Sequence, residues 1–364
     1  AAFIIFGILY TFMGGISSAI WTDVIQVGVY LGAAVLAIAF LLHRIPAPLG
    51  DIVHALANPP SGPPKLTVMT LGLDASKPWL GFDISKEFSL LTVTTGFVLL
   101  TLASYGMDQD LVQRMLTCQN AAKGARSVIS GVLVGIPAVC IFLVLGLLLY
   151  IFYQRPDIMG GAFPGYKPPD DSPFETFAYR EMNGGLAGLF LAGLFAAGPA
   201  GINSGLNSMA STFVTDIYQS RVKGRDETHY LKVGRLAVVG AGVVLGLFAC
   251  LCIVLYDPEH GTLISFALKM MNYAYAGLLG MFFTALFTNR GNTASVTVGW
   301  FAGFLTVLLL EPSILHMWKF YPKGKQFDLA FPWQLVISTL VATAVCMLGT
   351  RKKIAAPSIA TSTS

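Results

Sequence analysis

The chain has 364 residues, of which 55% are hydrophobic and only 12% charged. That is about half the charged share of a soluble domain, which excludes an ordinary water-soluble fold. The net charge of +4 is modest, and the Lys and Arg residues stand at the ends of apolar segments without forming a continuous basic face, so nothing points to nucleic acid and none is expected as a partner.

A hydrocarbon layer of about 30 Å needs about 20 mostly apolar residues per helix. Runs of that kind predict about nine helices, at 1–15, 20–43, 84–106, 126–153, 184–217, 230–256, 261–288, 293–311 and 331–350. The fold class is all-α, polytopic and membrane-embedded, with a single transmembrane domain over 1–351 and a short cytoplasmic tail over 352–364. The first residues, Ala-Ala-Phe-Ile-Ile, carry no methionine and already lie in an apolar segment, so the chain is read as lacking an N-terminal part. Pro-rich stretches from Pro46 to Pro64 and from Pro156 to Pro173, the latter with Asp157, Asp170 and Asp171, read as exposed loops.

Basic residues set the orientation. Arg114, Lys123 and Arg126 crowd one short connection; Arg221, Lys223, Arg225, Lys232 and Arg235 crowd a second; Arg290 marks a third, and Arg351 to Lys353 follow the last span. Alternating spans put all four groups on one face, which the positive-inside rule makes cytoplasmic. Lys319, Lys323 and Lys325 in an outer loop dilute this bias without reversing it. Cys140, Cys250, Cys252 and Cys346 fall within apolar helices and read as structural thiols, with Cys118 in a short polar loop.

Four polar features interrupt the apolar pattern. Asp23, in GGISSAIWTDVIQ, is either a helix-capping carboxylate or an intramembrane cation ligand. The segment MDQDLVQRML places Asp108, Gln109, Asp110, Gln113 and Arg114 at a cytoplasmic helix end, as a solvated terminus or as a latch reaching carboxylates of neighbouring helices. Residues 197–218 put Asn203, Ser204, Asn207, Ser208, Ser211 and Thr212 along a segment long enough to span the membrane. Lys269, with Asn272 three residues on, either snorkels to the outer interface or faces a cavity and draws in an anion.

GILYTFMGGISSAIWTDVIQ, YGMDQDLVQRML and SGLNSMASTFVTDIY resemble, in order and spacing, three signatures of the sodium/solute symporter family, which includes the sodium/glucose cotransporters. The resemblance runs from the first residue to about Arg351. It implies a leucine-transporter-type bundle of two inverted five-helix repeats, alternating access and a sodium ion beside the substrate. It also implies that a first core helix precedes this chain and that the chain alone does not transport.

By the same resemblance, the family's main sodium site maps to the backbone carbonyl of Ala197 and to two hydroxyl positions that read here as Ala200 and Gly201. A second cation site maps to Asp23, Asn203 and Ser204, where oxygen ligands persist. The substrate cavity maps to Thr101, Ser104, Tyr105, Leu268 and Lys269, and the gate to Asp108, Gln109, Gln113 and Arg114. Sugar-binding positions read as Ser104, Val134 and Leu268, which disfavours a hexose and favours a smaller organic solute or anion.

The expected function is sodium-coupled symport in a plasma or bacterial inner membrane, with sodium as coupling ion, no other cofactor or metal, and a small solute and the lipid bilayer as partners. The alternative is a sodium-independent or proton-coupled carrier of the same fold. A membrane enzyme is disfavoured because the chain has no HExxH, no GxSxG and no clustered His, its five histidines (His43, His54, His229, His260 and His316) lying at span ends or in loops. A ligand sensor would need a signalling domain, and this sequence carries none.

Overall fold

Backbone groups in hydrocarbon must bond within their own segment, so a chain this apolar resolves into helices. The computed structural model describes residues 2–67, 70–73, 82–168, 172–182, 184–256, 262–311 and 329–350, and it places no multi-residue strand among them. The tail at 352–364, the outer lysines Lys319, Lys323 and Lys325, the inner group at Arg351 to Lys353, the loop residues Asp170 and Asp171, and His260 and His316 lie outside the described residues.

The helices in chain order are α1 (Ala2–Arg44), α2 (Leu49–Ala57), α3 (Leu90–Gly106), α4 (Gln109–Leu116), α5 (Ala121–Gln154) and α6 (Pro173–Arg180). They are followed by α7 (Gly184–Thr212), α8 (Glu227–Leu255), α9 (Leu263–Phe287), α10 (Thr293–Leu310) and α11 (Phe331–Met347). Side chains that can accept from the first turn start several of them. Asn120 caps α5 through Lys123 N, Thr262 caps α9 through Ser265 N, and Asn292 forms a capping box with Ser295 at α10. Short π turns interrupt α3 at Val93–Phe97 and extend α7 over Phe213–Tyr218.

The predicted segments 1–15 and 20–43 form one uninterrupted helix, so the nine segments expected from hydropathy are eight among the described residues. Gly14 and Gly15 each cost a helix only about 1 kcal/mol, and without a proline or a cap that is too little to end one. Among the described residues five helices are long and apolar enough to cross a membrane: Ile20–Arg44 within α1, then α5, α8, α9 and α10; α3 and α4, bent by 46° at their junction, pass the same test as a pair. Their outer faces suit lipid; Ile253 and Val254 on α8 are 76% and 82% exposed.

Two compact units divide the chain, one of Ala1–Thr67 with Gln109–Pro258 and the other of Val68–Asp108 with Glu259–Ser364. In the first unit, α1 packs along α7 through small residues. A Cβ on Gly193 would stand 2.8 Å from the Ala33 Cβ and 3.3 Å from the Val29 carbonyl, so only glycine permits this approach. The apolar core of this unit gathers Leu41, Ile45, Leu56, Leu145, Ile151, Phe152, Met159 and Phe177. Above it the buried Arg155 donates to the Ala55 carbonyl and pairs with Asp157 at 2.7 Å, tying the end of α5 to α2.

The second unit is held by α9, α10 and α11 at glycine crossings. A Cβ on Gly277 would meet the Trp300 carbonyl at 2.5 Å, and one on Gly303 would meet the Gly277 Cα at 2.7 Å. Leu100, Ala103, Tyr275, Ala276, Leu279, Val307 and Leu335 form its core.

Candidate functional site

The contact of Ala33 with Gly193 sets the register of the polar residues. Because α1 and α7 run antiparallel, Asp23, ten residues before Ala33, comes level with the stretch ten or eleven residues after Gly193, which is Asn203 and Ser204. Asp23 therefore lies deep inside α1, which overturns the capping reading: a cap must stand at a helix end.

Arg114 of α4 closes this level of the first unit. Its Nη2 donates to Asp23 Oδ2 at 2.9 Å and to Ser204 Oγ, and its Nε donates to Asp110 Oδ1 at 3.3 Å. Ser204 Oγ in turn donates to Asp110 Oδ1. Two carboxylates around one guanidinium leave a formal charge of −1. The Asp23 and Arg114 side chains retain 16% and 33% of their exposure, so the group is sheltered without being dry.

Two oxygens at this level are left over. Asp23 Oδ1 and Gln26 Oε1 are both buried and have no hydrogen-bond partner among the described residues. Residues three apart share a helix face, so both lie on one side of α1. An unpaired buried oxygen costs about 1–3 kcal/mol, and a cation is the partner that carboxylate and amide oxygens share. Gln26 was not among the residues singled out from the sequence. Its spacing of three from Asp23 in TDVIQ was the available signal.

The other expected site residues fall into distinct places. Asn203 is buried, and Ser208 donates to Gln113 Oε1 at 3.5 Å, the limit of a hydrogen bond. Gln109 makes no side-chain hydrogen bond among the described residues. Asp108 belongs to the second unit, where it accepts from the Tyr275 hydroxyl at 3.0 Å. The α7 helix runs on through Pro199, and the side chains of Ala197 and Ala200 lie outside the described residues, while Gly201 is exposed.

In the second unit Thr101 and Tyr105, one turn apart on α3, are exposed; Ser104 is half-buried, and Leu268 packs against the core. Lys269 has a carboxylate beside it. Its Nζ lies 3.7 Å from Glu87 Oε1, while Ser265 Oγ donates to Glu87 Oε2 at 2.5 Å. Its i+3 neighbour Asn272 is fully buried and donates to the Phe331 carbonyl at 2.6 Å.

Beyond the spans, Arg155 holds the Asp157 carboxyl below the usual carboxylate range, and Asp157 in turn raises Arg155. Burial raises the Tyr166 hydroxyl, and the adjacent Glu181 carboxylate adds to the rise.

Span-length apolar helices around a charged, oxygen-rich level define an integral membrane protein of the helical transporter class. The profile of the Sodium:solute symporter family matches residues 1–303, and the chain belongs to that family. It is 27% identical over 305 residues to the sodium/sialic acid symporter of Proteus mirabilis (strain HI4320), covering 83% of this chain and 57% of that protein. It is 28% identical over 347 residues to the sodium/sialic acid symporter of Aliivibrio fischeri (strain ATCC 700601 / ES114), covering 93% of this chain and 60% of that one. A solved structure described as the substrate-bound outward-open state of a Na+-coupled sialic acid symporter superposes with a TM-score of 0.69 at 26% identity, covering 95% of this chain and 65% of that one. The chain thus spans less than two thirds of the length of each of these relatives.

Proposed function

We propose that the full-length protein is a sodium-coupled secondary symporter of a small organic anion, working by alternating access. The observation that carries this reading is the meeting of Asp23, Ser204, Asp110 and Arg114 at one level, with a formal charge of −1 and two unpartnered oxygens. Asp23, Ser204, Asn203 and Gln26 supply oxygens suited to a monovalent cation. Arg114, from the short helix α4, holds the same carboxylate.

A cation and a guanidinium that share a carboxylate are thermodynamically coupled. Sodium at Asp23 weakens the grip of Arg114, and release of Arg114 improves the site for sodium by the same factor. That links ion occupancy to the α4 latch formed by Arg114 and Gln113. Each sodium charge moving through 100 mV supplies about 2.3 kcal/mol, which the charge of a co-transported monovalent anion cancels, so accumulation is driven by the sodium gradient or by a second sodium ion. The sialic acid symporters among the relatives support a carboxylated solute, and Thr101, Ser104, Tyr105, Leu268 and Lys269 are proposed as its lining.

Uptake of labelled sialic acid and of a set of small monocarboxylates by the full-length protein in proteoliposomes tests the reading, with sodium replaced by choline at two pH values. Loss of uptake in choline at both pH values is expected. Uptake that persists without sodium overturns the symport reading, and a dependence on pH in its place points to protons.

A further inference from the structure

The helix ends joined by residues 219–226 lie on the cytoplasmic side of the first unit by the positive-inside assignment. The π turn Phe213–Tyr218 carries α7 on to a last turn at Gln219–Arg221, and α8 starts at Glu227. A Cβ on Gly234 of α8 would stand 3.8 Å from Val214 Cγ2, and the Tyr218 hydroxyl and His229 Nε2 share a hydrogen bond of 3.0 Å. These two contacts set the ends side by side and antiparallel, above a buried cluster of Leu206, Ala210, Val238 and Ala241.

The connection between them is tightly held. Val222 N donates to the Tyr218 carbonyl at 2.9 Å, and the Tyr230 hydroxyl donates to the Val222 carbonyl at 2.7 Å. The rings of Tyr218, His229 and Tyr230 lie 5.9 to 6.3 Å from one another. Gly224 makes the turn at φ +75°, a conformation that suits glycine.

A held backbone fixes where the cations stand. Between Phe213 and Arg235 five basic residues stand against three acidic ones. Arg221, Lys223, Arg225 and, on the second turn of α8, Lys232 are exposed, and among the described residues none of these four pairs with a carboxylate. The acids are satisfied in other ways. Asp226 and Glu227 stand at the first turn of α8, where the helix dipole favours negative charge, and Asp216 Oδ1 accepts from the Thr215 hydroxyl at 3.2 Å. Residues 1–19, in the half of α1 before Asp23, contain no charged side chain and leave this balance unchanged.

Toward the membrane centre the same helices turn apolar flanks outward. Ile217 comes four residues before Arg221 and Leu236 four residues after Lys232, so each basic residue shares a helix face with an apolar one about 6 Å deeper. Phe213 and Ile217 are each 42% exposed, Leu231 61% and Leu236 72%. A soluble polyanion would use the cations alone. A lipid uses both features, with its phosphate at the loop and its acyl chains along the flanks.

We propose that this end of α7 and α8 is a docking surface for an anionic phospholipid of the inner leaflet, with the loop cations and Lys232 taking the phosphate and the exposed flanks the acyl chains. The lipid ties the membrane surface to the helix that carries the polar stripe. The surface binds neither sodium nor solute, so it stands or falls separately from the function proposed above.

The test uses the full-length protein in phosphatidylcholine nanodiscs, with spin-labelled phosphatidylglycerol or spin-labelled phosphatidylcholine as the probe. The motionally restricted fraction of each label gives its association with the protein. The native protein is expected to prefer phosphatidylglycerol by at least about threefold, and about 0.5 M salt to remove most of that preference. Arg221→Gln, Lys223→Gln, Arg225→Gln and Lys232→Gln together are expected to bring the ratio near one, while Lys123→Gln with Arg126→Gln, on the same face, leaves most of it. Arg221→Gln and Lys232→Gln singly are expected to remove part of it each, which keeps the test local if the fourfold variant fails to fold. Equal association of the two lipids with the native protein, a preference that these replacements leave unchanged, or an equal loss in the Lys123 and Arg126 control overturns the proposal. So does displacement of the label by millimolar glycerol phosphate, the mark of a site for soluble anions.

Discussion

In the first unit Arg114, Asp23, Asp110 and Ser204 meet as charged and hydroxyl side chains with two buried oxygens left over, whereas in the second unit the buried Asn272, Gln334 and Ser338 bond to backbone. The charged group of the second unit, Glu87 and Lys269 with Ser265, leaves no buried oxygen unpartnered among the described residues. Asn272 donates to the Phe331 carbonyl, Gln334 to the Leu329 carbonyl at 3.0 Å, and Ser338 to the Gln334 carbonyl at 2.6 Å. The buried atoms the second unit leaves unpaired, on Asn272, Trp333 and Thr339, are neutral. Side chains bonded to backbone fix one packing. Side chains bonded to each other through shared charge admit a competitor, here a cation. The contrast suits the proposal of an ion-switched element at the Asp23 level beside a fixed α9–α10–α11 group within the second unit.

The largest effect should come from disturbing that fixed group. Gly277→Leu places a side chain against the Trp300 carbonyl, 2.5 Å from where its Cβ would stand, and should cost about 3 kcal/mol or more. Loss of the monodisperse peak on gel filtration in detergent checks this, and a normal peak with an unchanged melting temperature would contradict the rigid-crossing account. Arg114→Gln comes next. It leaves Asp23 and Asp110 without their guanidinium, which in a fully buried pair costs about 3–5 kcal/mol and at this partial exposure about 1–3 kcal/mol. Thermal melts in choline buffer measure the loss, and sodium should restore part of it.

Gln26→Leu is a smaller change with opposite signs in two buffers. Removing an unpartnered buried oxygen should stabilise the sodium-free protein by up to about 1 kcal/mol. It should also shrink the stabilisation that sodium confers, and equal behaviour in both buffers would remove Gln26 from the site. The smallest effect belongs to Asp157. Arg155 depresses its folded-state pKa, so its contribution is fully present above the ordinary carboxylate value of about 4 and is lost as pH falls through the depressed value. Asp157→Asn should therefore lower the melting temperature slightly at neutral pH, by the little that a 55% exposed carboxylate contributes, and the difference from the native protein should vanish as the pH falls through the depressed value.

Much of this contrast could be read in the sequence. Hydropathy located the spans because only helices satisfy a backbone in lipid, and Asp23, Ser204 and Arg114 stood out because polar groups there need partners. What stayed hidden depends on three-dimensional register. Whether Asp23 caps a helix or sits inside one turns on whether Gly14 and Gly15 stop α1, and a helix tolerates both. The residues expected at the cation site and at the gate were read separately, yet Arg114 donates to both Asp23 and Ser204, which the contact of Gly193 with Ala33 brings level. Asp108, two residues from Asp110, fell into the other unit, a division invisible in local pattern. For Lys269 the sequence left snorkelling and a cavity-facing role open and did not name Glu87, because a partner nearly two hundred residues earlier cannot be matched by spacing.

The central claim is that a sodium ion binds at the Asp23 level and is coupled to Arg114. Melting temperatures of the full-length protein, titrated with sodium against choline at constant ionic strength, test it most directly. An ion at about 100 times its dissociation constant stabilises the folded state by about 2.7 kcal/mol. The account predicts a saturable rise for the native protein that Asp23→Asn abolishes or greatly reduces. A rise of the same size and midpoint in Asp23→Asn would contradict it.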